Sequence, residues 1–214
     1  MKFIKRVLFI LFLVIAIVVG ISAYNGYNMY KSVIEKIPIE TMVKNIQSND
    51  KFVSISEMPK DYVNAVIAVE DRRFYKHNGV DIISIGRAIV TDIKNMEMIE
   101  GGSTITQQIA KNNMFNQERK LDRKFAEIFE LYVNTCYFGD GYYCIKDAAE
   151  GYFKKEPKDM DLNESTLLAG IPNAPSIYAP TKNPDLAKER QGQVIDKMIK
   201  NNYLTKEQAK SIGF

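Results

Sequence analysis

From Val7 to Tyr24 the chain reads VLFILFLVIAIVVGISAY, eighteen residues without a charge, and no charge appears until Lys31. At 1.5 Å per residue that run makes about 27 Å of helix, enough to cross a hydrocarbon core. Lys2, Lys5 and Arg6 precede it, and a basic flank of this kind stays on the cytoplasmic side. The rival reading is a cleaved signal peptide, with Ile21-Ser22-Ala23 as a small-residue cleavage site. Signal cores usually span about 7–15 residues, so the length favours an uncleaved anchor. The expected organisation is a basic tip and transmembrane anchor over 1–30, a juxtamembrane connection over 31–57, and a domain over 58–214. The protein would then be single-pass in the cell membrane, N-terminus cytoplasmic and domain extracytoplasmic.

The chain beyond the anchor is about long enough for one domain. A net charge of +3 carries no nucleic-acid signature, although surplus Lys and Arg on a tethered domain would suit anionic headgroups or pyrophosphates. His77 is the only histidine, and the two cysteines, Cys136 and Cys144, fall in no metal-binding pattern. A histidine-rich metal site or a Ser-His-Asp triad therefore has no supporting motif. An extracytoplasmic domain permits a disulfide, but one spacing does not establish it.

Hydrophobic periodicity makes the domain mainly α. Pro59 suits the first turn of a helix carrying Tyr62, Val63, Val66, Ile67 and Val69. Asp81 is placed to cap the next, with Ile82, Ile85, Ala88, Ile89 and Ile93 at helical spacing. MEMIEGG (96–102) reads as a mobile loop. Thr104 and Gln107 form a capping box for a helix reaching about Asn113, and Thr205 with Gln208 forms another near the C-terminus. Asp122 is expected to cap a helix from Arg123 to about Tyr137, Asn163 to cap another, and Asp147–Tyr152 to be a short one. Val194, Ile195, Met198 and Ile199 mark a later amphipathic helix. Lys51 to Ser56 reads as a strand.

Three stretches could carry chemistry. Glu70 ends the apolar run AVIAV, where partial desolvation would suit a general base; spacing alone equally allows a solvated acidic end beside Arg72 and Arg73. In GGSTITQQIAKN (101–112) two glycines open a helix N-terminus, whose N–H groups and dipole attract anions. ERKLDRK (118–124) supplies Arg119, Arg123 and Lys124, either a solvated face or partners of Lys111 on a phosphate.

In their order, EDRRFYKHNG, GGSTITQQIAKN and RKFAE strongly resemble the peptidoglycan glycosyltransferase domain (glycosyltransferase family fifty-one) of class A penicillin-binding proteins and of monofunctional membrane-anchored enzymes. Its first motif is matched by Glu70, Asp71, Phe74, His77 and Gly79, and its second by Gly101, Ser103, Thr104, Gln107, Gln108, Lys111 and Asn112. FELYVN, AAEGYFKK and LLAGIPNAPSIYAP resemble later motifs. The resemblance runs from about Ile55 to the C-terminus. It implies a lysozyme-like helical domain behind one transmembrane helix, and the monofunctional type. The implied reaction polymerises lipid II into β-1,4-linked glycan with inversion and release of polyprenyl pyrophosphate. Glu70 would be the base and Glu127 the second, donor-side carboxylate. Ser103, Thr104, Gln107, Gln108, Lys111, Asn112, Arg119, Arg123 and Lys124 would bind substrate, while Asp71, Phe74, His77 and Gly79 order the first motif. The implied partners are lipid II, the growing lipid-linked glycan, the membrane and unidentified cell-wall synthesis proteins. No cofactor or protein-bound metal is required, though a divalent cation could sit on the substrate pyrophosphate.

One departure stands out. The family separates RKxxE from its next motif by about four helical turns that are missing here, so RKFAE runs directly into IFELYVN. Glu127 and Glu130 thus fall three residues apart through shortening, not as an acid/base pair. The alternative to an active enzyme is a catalytically impaired relative that binds lipid-linked precursor or a cell-wall partner. A lysozyme-like hydrolase would share the architecture but leaves the Lys111/Arg119 cluster and the anchor unexplained.

Overall fold

The computed structural model describes the backbone of residues 39–95, 101–113 and 121–214, together with scattered residues between 6 and 28. Within those stretches the side chains at 39, 93, 95, 110–113 and 121–124 are not described. The described residues between Arg6 and Asn28 are helical and exposed. The expected anchor over Val7–Tyr24 falls partly outside the described residues, and among those described no helix is long and apolar enough to cross a membrane. The chain divides into two units, Met1–Met42 and Val43–Phe214. The second holds the core and the cleft, so the segment 43–57 packs with the domain.

The helices are α1 (Ile39–Gln47), α2 (Lys60–Glu70), α3 (Ile82–Asn95), α4 (Ile105–Asn113), α5 (Leu121–Val133), α6 (Ile145–Phe153), α7 (Leu162–Gly170), α8 (Pro175–Tyr178), α9 (Pro184–Lys200) and α10 (Lys206–Ser211). No strand occurs among the described residues. The fold is mainly α, as the periodicity predicts.

At its centre α2, α7 and α9 pack on one another, with α5 lying on α4. α2 is apolar around most of its circumference, and it buries Tyr62, Ala65, Val66, Ile67, Ala68 and Val69. Leu168 and Ala169 of α7 and Val194, Ile195 and Met198 of α9 complete this core. Each large side chain among them contributes about 1.5–3 kcal/mol by leaving water. A central, rigid α2 matters because it ends at Glu70, where Asp71 turns the backbone out of the helix.

Several expected boundaries shift. Lys51–Ser56 forms no strand: Ser54 is extended, but a side chain takes the partner strand's place. Asn134 Oδ1 accepts from Val53 N–H (2.9 Å) and its Nδ2 donates to Val53 C=O (2.8 Å), and residues 55–57 then coil into a 3-10 turn. α7 is capped by Asp161, not Asn163: Asp161 accepts from Glu164 N–H, and Glu164 reaches back to Asp161 N–H, both at 2.9 Å. Asp122 lies inside α5, which ends at Val133 and not near Tyr137. α6 begins at Ile145 behind an N-cap from the Cys144 thiol. The other capping expectations hold. Thr104/Gln107 and Thr205/Gln208 form reciprocal boxes, and Asp81 accepts from the Ile83 and Ser84 amides.

Candidate active site

Glu70, half-buried at the end of α2, opens onto a cleft of about 870 Å³. Gln108 of α4 donates from Nε2 to Glu70 Oε2 at 2.6 Å. This is the first of three ties that bring the stretch after α2 against the start of α4. The second runs from Ile105 N–H to Asp71 Oδ2 (3.2 Å), and the third from the Thr104 hydroxyl to the Gly79 carbonyl. The two motifs, a score of residues apart, thereby form one wall.

Around Glu70 the first motif is ordered by buried polar contacts. Gly79 N–H donates to His77 Nδ1 (3.2 Å), so the proton that Asp71 receives sits on Nε2, 2.9 and 3.0 Å from its two oxygens. Burial pushes the Asp71 carboxyl above the usual carboxylate range, against the pull of His77 and of the Ile105 amide. For Asp81 burial also disfavours charge, but the Ser84 hydroxyl and amide, with Arg73 at 2.9 Å, win and hold it below that range. Gly79 is required as glycine, since its φ of 103° is one that side chains rarely adopt. Phe74 is buried and meets Phe125 of α5 edge-on, ring centroids 5.3 Å apart, with Tyr75 at the same distance from both.

Asp71, His77 and Asp81 place three ligand-type atoms within 4.8 Å of one another. Each is already engaged within the protein, His77 with Asp71 and Asp81 with Ser84 and Arg73. The three residues form a hydrogen-bonded brace.

Ser103, Thr104, Gln107 and Gln108 all line the cleft. Thr104 is nevertheless buried, with its hydroxyl committed to Gly79 and to Gln107 N–H, and Gln107 caps Thr104 in return. Of these four, Ser103 is exposed and Gln108 holds Glu70. The backbones of Lys111, Asn112, Arg123 and Lys124 lie in α4 and α5, but their side chains, and the whole of Arg119, lie outside the described residues. Glu127 is half-buried on α5 and does not line the cleft. Glu130, three residues on, accepts from Ile55 N–H at 2.8 Å and so fixes the turn over 55–57. The two glutamates of α5 are not an acid/base pair.

The opposite wall is α9, which the reading of motifs missed. Arg190, Gln193, Lys197 and Lys200 recur at helical spacing and line the cleft together. Lys197 Nζ donates to Val69 C=O at 3.3 Å, tying this wall to the residue before Glu70. Arg87 of α3 and Arg72 add two more cations. Beneath Glu70 lie Tyr62, Tyr132 and Cys136, all buried. Burial, with Glu70's charge adding to it, pushes all three hydroxyl and thiol groups well up, so they are uncharged under Glu70. Cys136 and Cys144 are free thiols. The cleft thus pairs one clamped carboxylate with a cationic wall, an arrangement suited to deprotonating a hydroxyl beside an anionic leaving group.

The transglycosylase family model matches residues 36–199, from α1's approach through nearly all of α9. The chain belongs to the transglycosylase family. This transglycosylase is 42% identical over 176 residues to penicillin-binding protein 1F of Bacillus subtilis (strain 168), covering 75% of this chain and 25% of that protein. It is 39% identical over 172 residues to penicillin-binding protein 1A of Aquifex aeolicus (strain VF5), covering 73% and 24%. The chain thus spans about a quarter of the length of the curated relatives it matches. The crystal structure of penicillin-binding protein 1A from Haemophilus influenzae superposes with a TM-score of 0.48 and 22% identity, over 75% of this chain and 17% of that one.

Proposed function

We propose that this transglycosylase is a peptidoglycan glycosyltransferase that polymerises lipid II. The observation that carries the reading is Glu70 held at 2.6 Å by Gln108 in a cleft whose far wall is cationic. In the reaction, the 4-hydroxyl of the acceptor sugar attacks the anomeric carbon of the lipid-linked donor. Glu70 accepts the hydroxyl proton as the new C–O bond forms, and the bond to pyrophosphate breaks with its electron pair going to the phosphate oxygen. Attack opposite the leaving group converts an α-linked donor into a β-1,4 product. Lys197, Lys200 and Arg87 suit the pyrophosphate charge, joined by Lys111 and Arg119 on the strength of the motif match.

Glu127 sits outside the cleft lining, so the reading rests on Glu70 alone, and we give Glu127 a supporting place in α5. The alignment with the Bacillus protein runs over 176 positions yet takes in 75% of this 214-residue chain. That excess is what a gap in this chain produces, and we place the gap after Glu127. We also read the protein as membrane-tethered through its N-terminal apolar run, with the lysozyme-like domain outside. α3 supports that placement: Ser84 and Arg87 face the cleft, while Ile82 (78% exposed), Ile83, Ile89 and Val90 face outward, an apolar surface suited to lipid.

The test is incubation of the detergent-solubilised protein with lipid II. Glycan polymer that disappears in Glu70→Gln supports the reading. Lipid II binding without polymer would instead favour the impaired relative, for which the position of Glu127 speaks. Cleavage of finished glycan would favour a hydrolase. Repeating the incubation with a chelator decides whether a divalent cation on the pyrophosphate contributes.

A further inference from the structure

A second groove, of about 470 Å³, lies beside the cleft and has no part in the chemistry above. One wall comes from Asn45, Asn49 and Lys51, the other from Thr135, Tyr143 and Asp147. Its size falls in the range of small-ligand sites, roughly 300–1,000 Å³. The two cavities meet at a pair of rings. Tyr137 lines the cleft and Tyr143 the groove, stacked with centroids 4.7 Å apart and planes at 29°. Chain order enforces the junction, since Asn134 and Thr135 line the groove while Cys136 and Tyr137 line the cleft.

We propose that this groove is a saccharide-binding site that receives the lipid-free part of a glycan strand extending from the cleft, an inference that rests on the glycosyltransferase reading. Tyr143 is 65% exposed and stacked on Tyr137. An aromatic face open to water binds an apolar surface, and a pyranose ring has one, formed by its C–H bonds. Around that face stand amides, a hydroxyl and the Lys51–Asp147 pair at 2.9 Å, donors and acceptors for a ring of sugar hydroxyls. Asp50 and Asp147 outnumber Lys51 there, so the groove disfavours a phosphate or an acidic peptide, in contrast to the cationic cleft. Continuity with the cleft selects the strand as occupant: a polymer anchored at Glu70 and longer than the cleft must run across one of its edges, and Tyr137–Tyr143 is an edge that presents rings.

The probe is a lipid-free peptidoglycan octasaccharide, titrated into the full-length protein in detergent in the Glu70→Gln background. Tyr143→Ala should weaken its binding by about fivefold, the scale of one lost aromatic contact, and Tyr143→Phe should restore it. In the catalytically intact protein, Tyr143→Ala should shorten the polymer made from lipid II. An octasaccharide affinity unchanged in Tyr143→Ala overturns the groove, even if polymer forms. Absence of polymer from the unmutated protein overturns the enzymatic reading instead, and the groove then stands or falls on the octasaccharide affinity alone. Thermal unfolding of each variant confirms that the exposed substitutions leave the fold intact.

Discussion

At the scale of residues, Glu70 acts only if something holds it, and Gln108 does so through a single short hydrogen bond. Glu70→Gln should lower polymerisation by roughly 10²- to 10⁴-fold, the usual contribution of a positioned base. Glu127→Gln should cost less than about tenfold because Glu127 lies outside the cleft lining; parity of the two losses in initial-rate assays would refute that assignment. Gly79 is the sharpest backbone constraint. Its amide holds His77 and its carbonyl receives Thr104, while φ is 103°. Gly79→Ala should destabilise the protein by about 1–3 kcal/mol, read as a lower midpoint in thermal unfolding, and should reduce activity beyond what lost stability explains, since Asp71 and Glu70 hang from the same brace.

At the scale of elements, α9 carries two roles on two faces. Val194, Ile195 and Met198 bury it against α2 and α7, while Arg190, Lys197 and Lys200 face the cleft. Lys200 is exposed, so Lys200→Ala should leave stability unchanged and raise KM for lipid II by about 1.5-fold to fivefold, the size of one screened charge contact. The effect should shrink as salt is added, since ions screen exposed charges within about 10 Å at 0.1 M; a salt-independent loss would sink the electrostatic role. This face could have been found in the sequence. Its cations recur at helical spacing, but scanning for apolar periodicity returns only the buried side of the same helix. The capping boxes at Thr104 and Thr205 were legible because both partners are local and three residues apart. The false strand at Lys51–Ser56 failed for the opposite reason. The backbone is extended only at Ser54 before it coils, and what pairs with Val53 is the amide of Asn134, eighty-one residues away, which no local pattern announces.

At the scale of the whole molecule, acid should loosen the fold before it touches the core. Asp140 accepts from Thr181, ion-pairs with Lys182 at 3.0 Å and accepts from Tyr152. The Thr181 hydroxyl first, then Lys182, hold its carboxyl below its ordinary 3.8. A carboxylate depressed in this way adds stability that is fully present above the ordinary value and is lost as pH falls through the folded one. Asp81 behaves alike, whereas burial-raised Asp71 gives a contribution of opposite sign, lost as pH rises through its folded value. Thermal midpoints measured from pH 6 down to about 2.5 should therefore fall below pH 4, and Asp140→Asn should start lower at pH 6 and fall less. An unchanged slope in Asp140→Asn would assign the acid sensitivity elsewhere.

The bond from Thr104 to Gly79 also closes a ring of chain. Everything between those residues, α3 included, leaves one point of the domain and returns to it, with Ile105–Asp71 and Gln108–Glu70 locking the closure from the catalytic side. For a flexible closed loop, doubling the length costs only about 0.6 kcal/mol. A few residues added between α3 and Thr104 therefore change the cost of closure little, while the register of Asp81, Ser84 and Arg87 and of the ring's two ends does matter. A short glycine-serine insertion after Asn95 should leave the midpoint of unfolding almost where it was, whereas the same insertion beside Gly79 should abolish the site. Variation in this region has somewhere to accumulate without reaching the base, and the outward, apolar face of α3 can vary while the carboxylate behind it stays put.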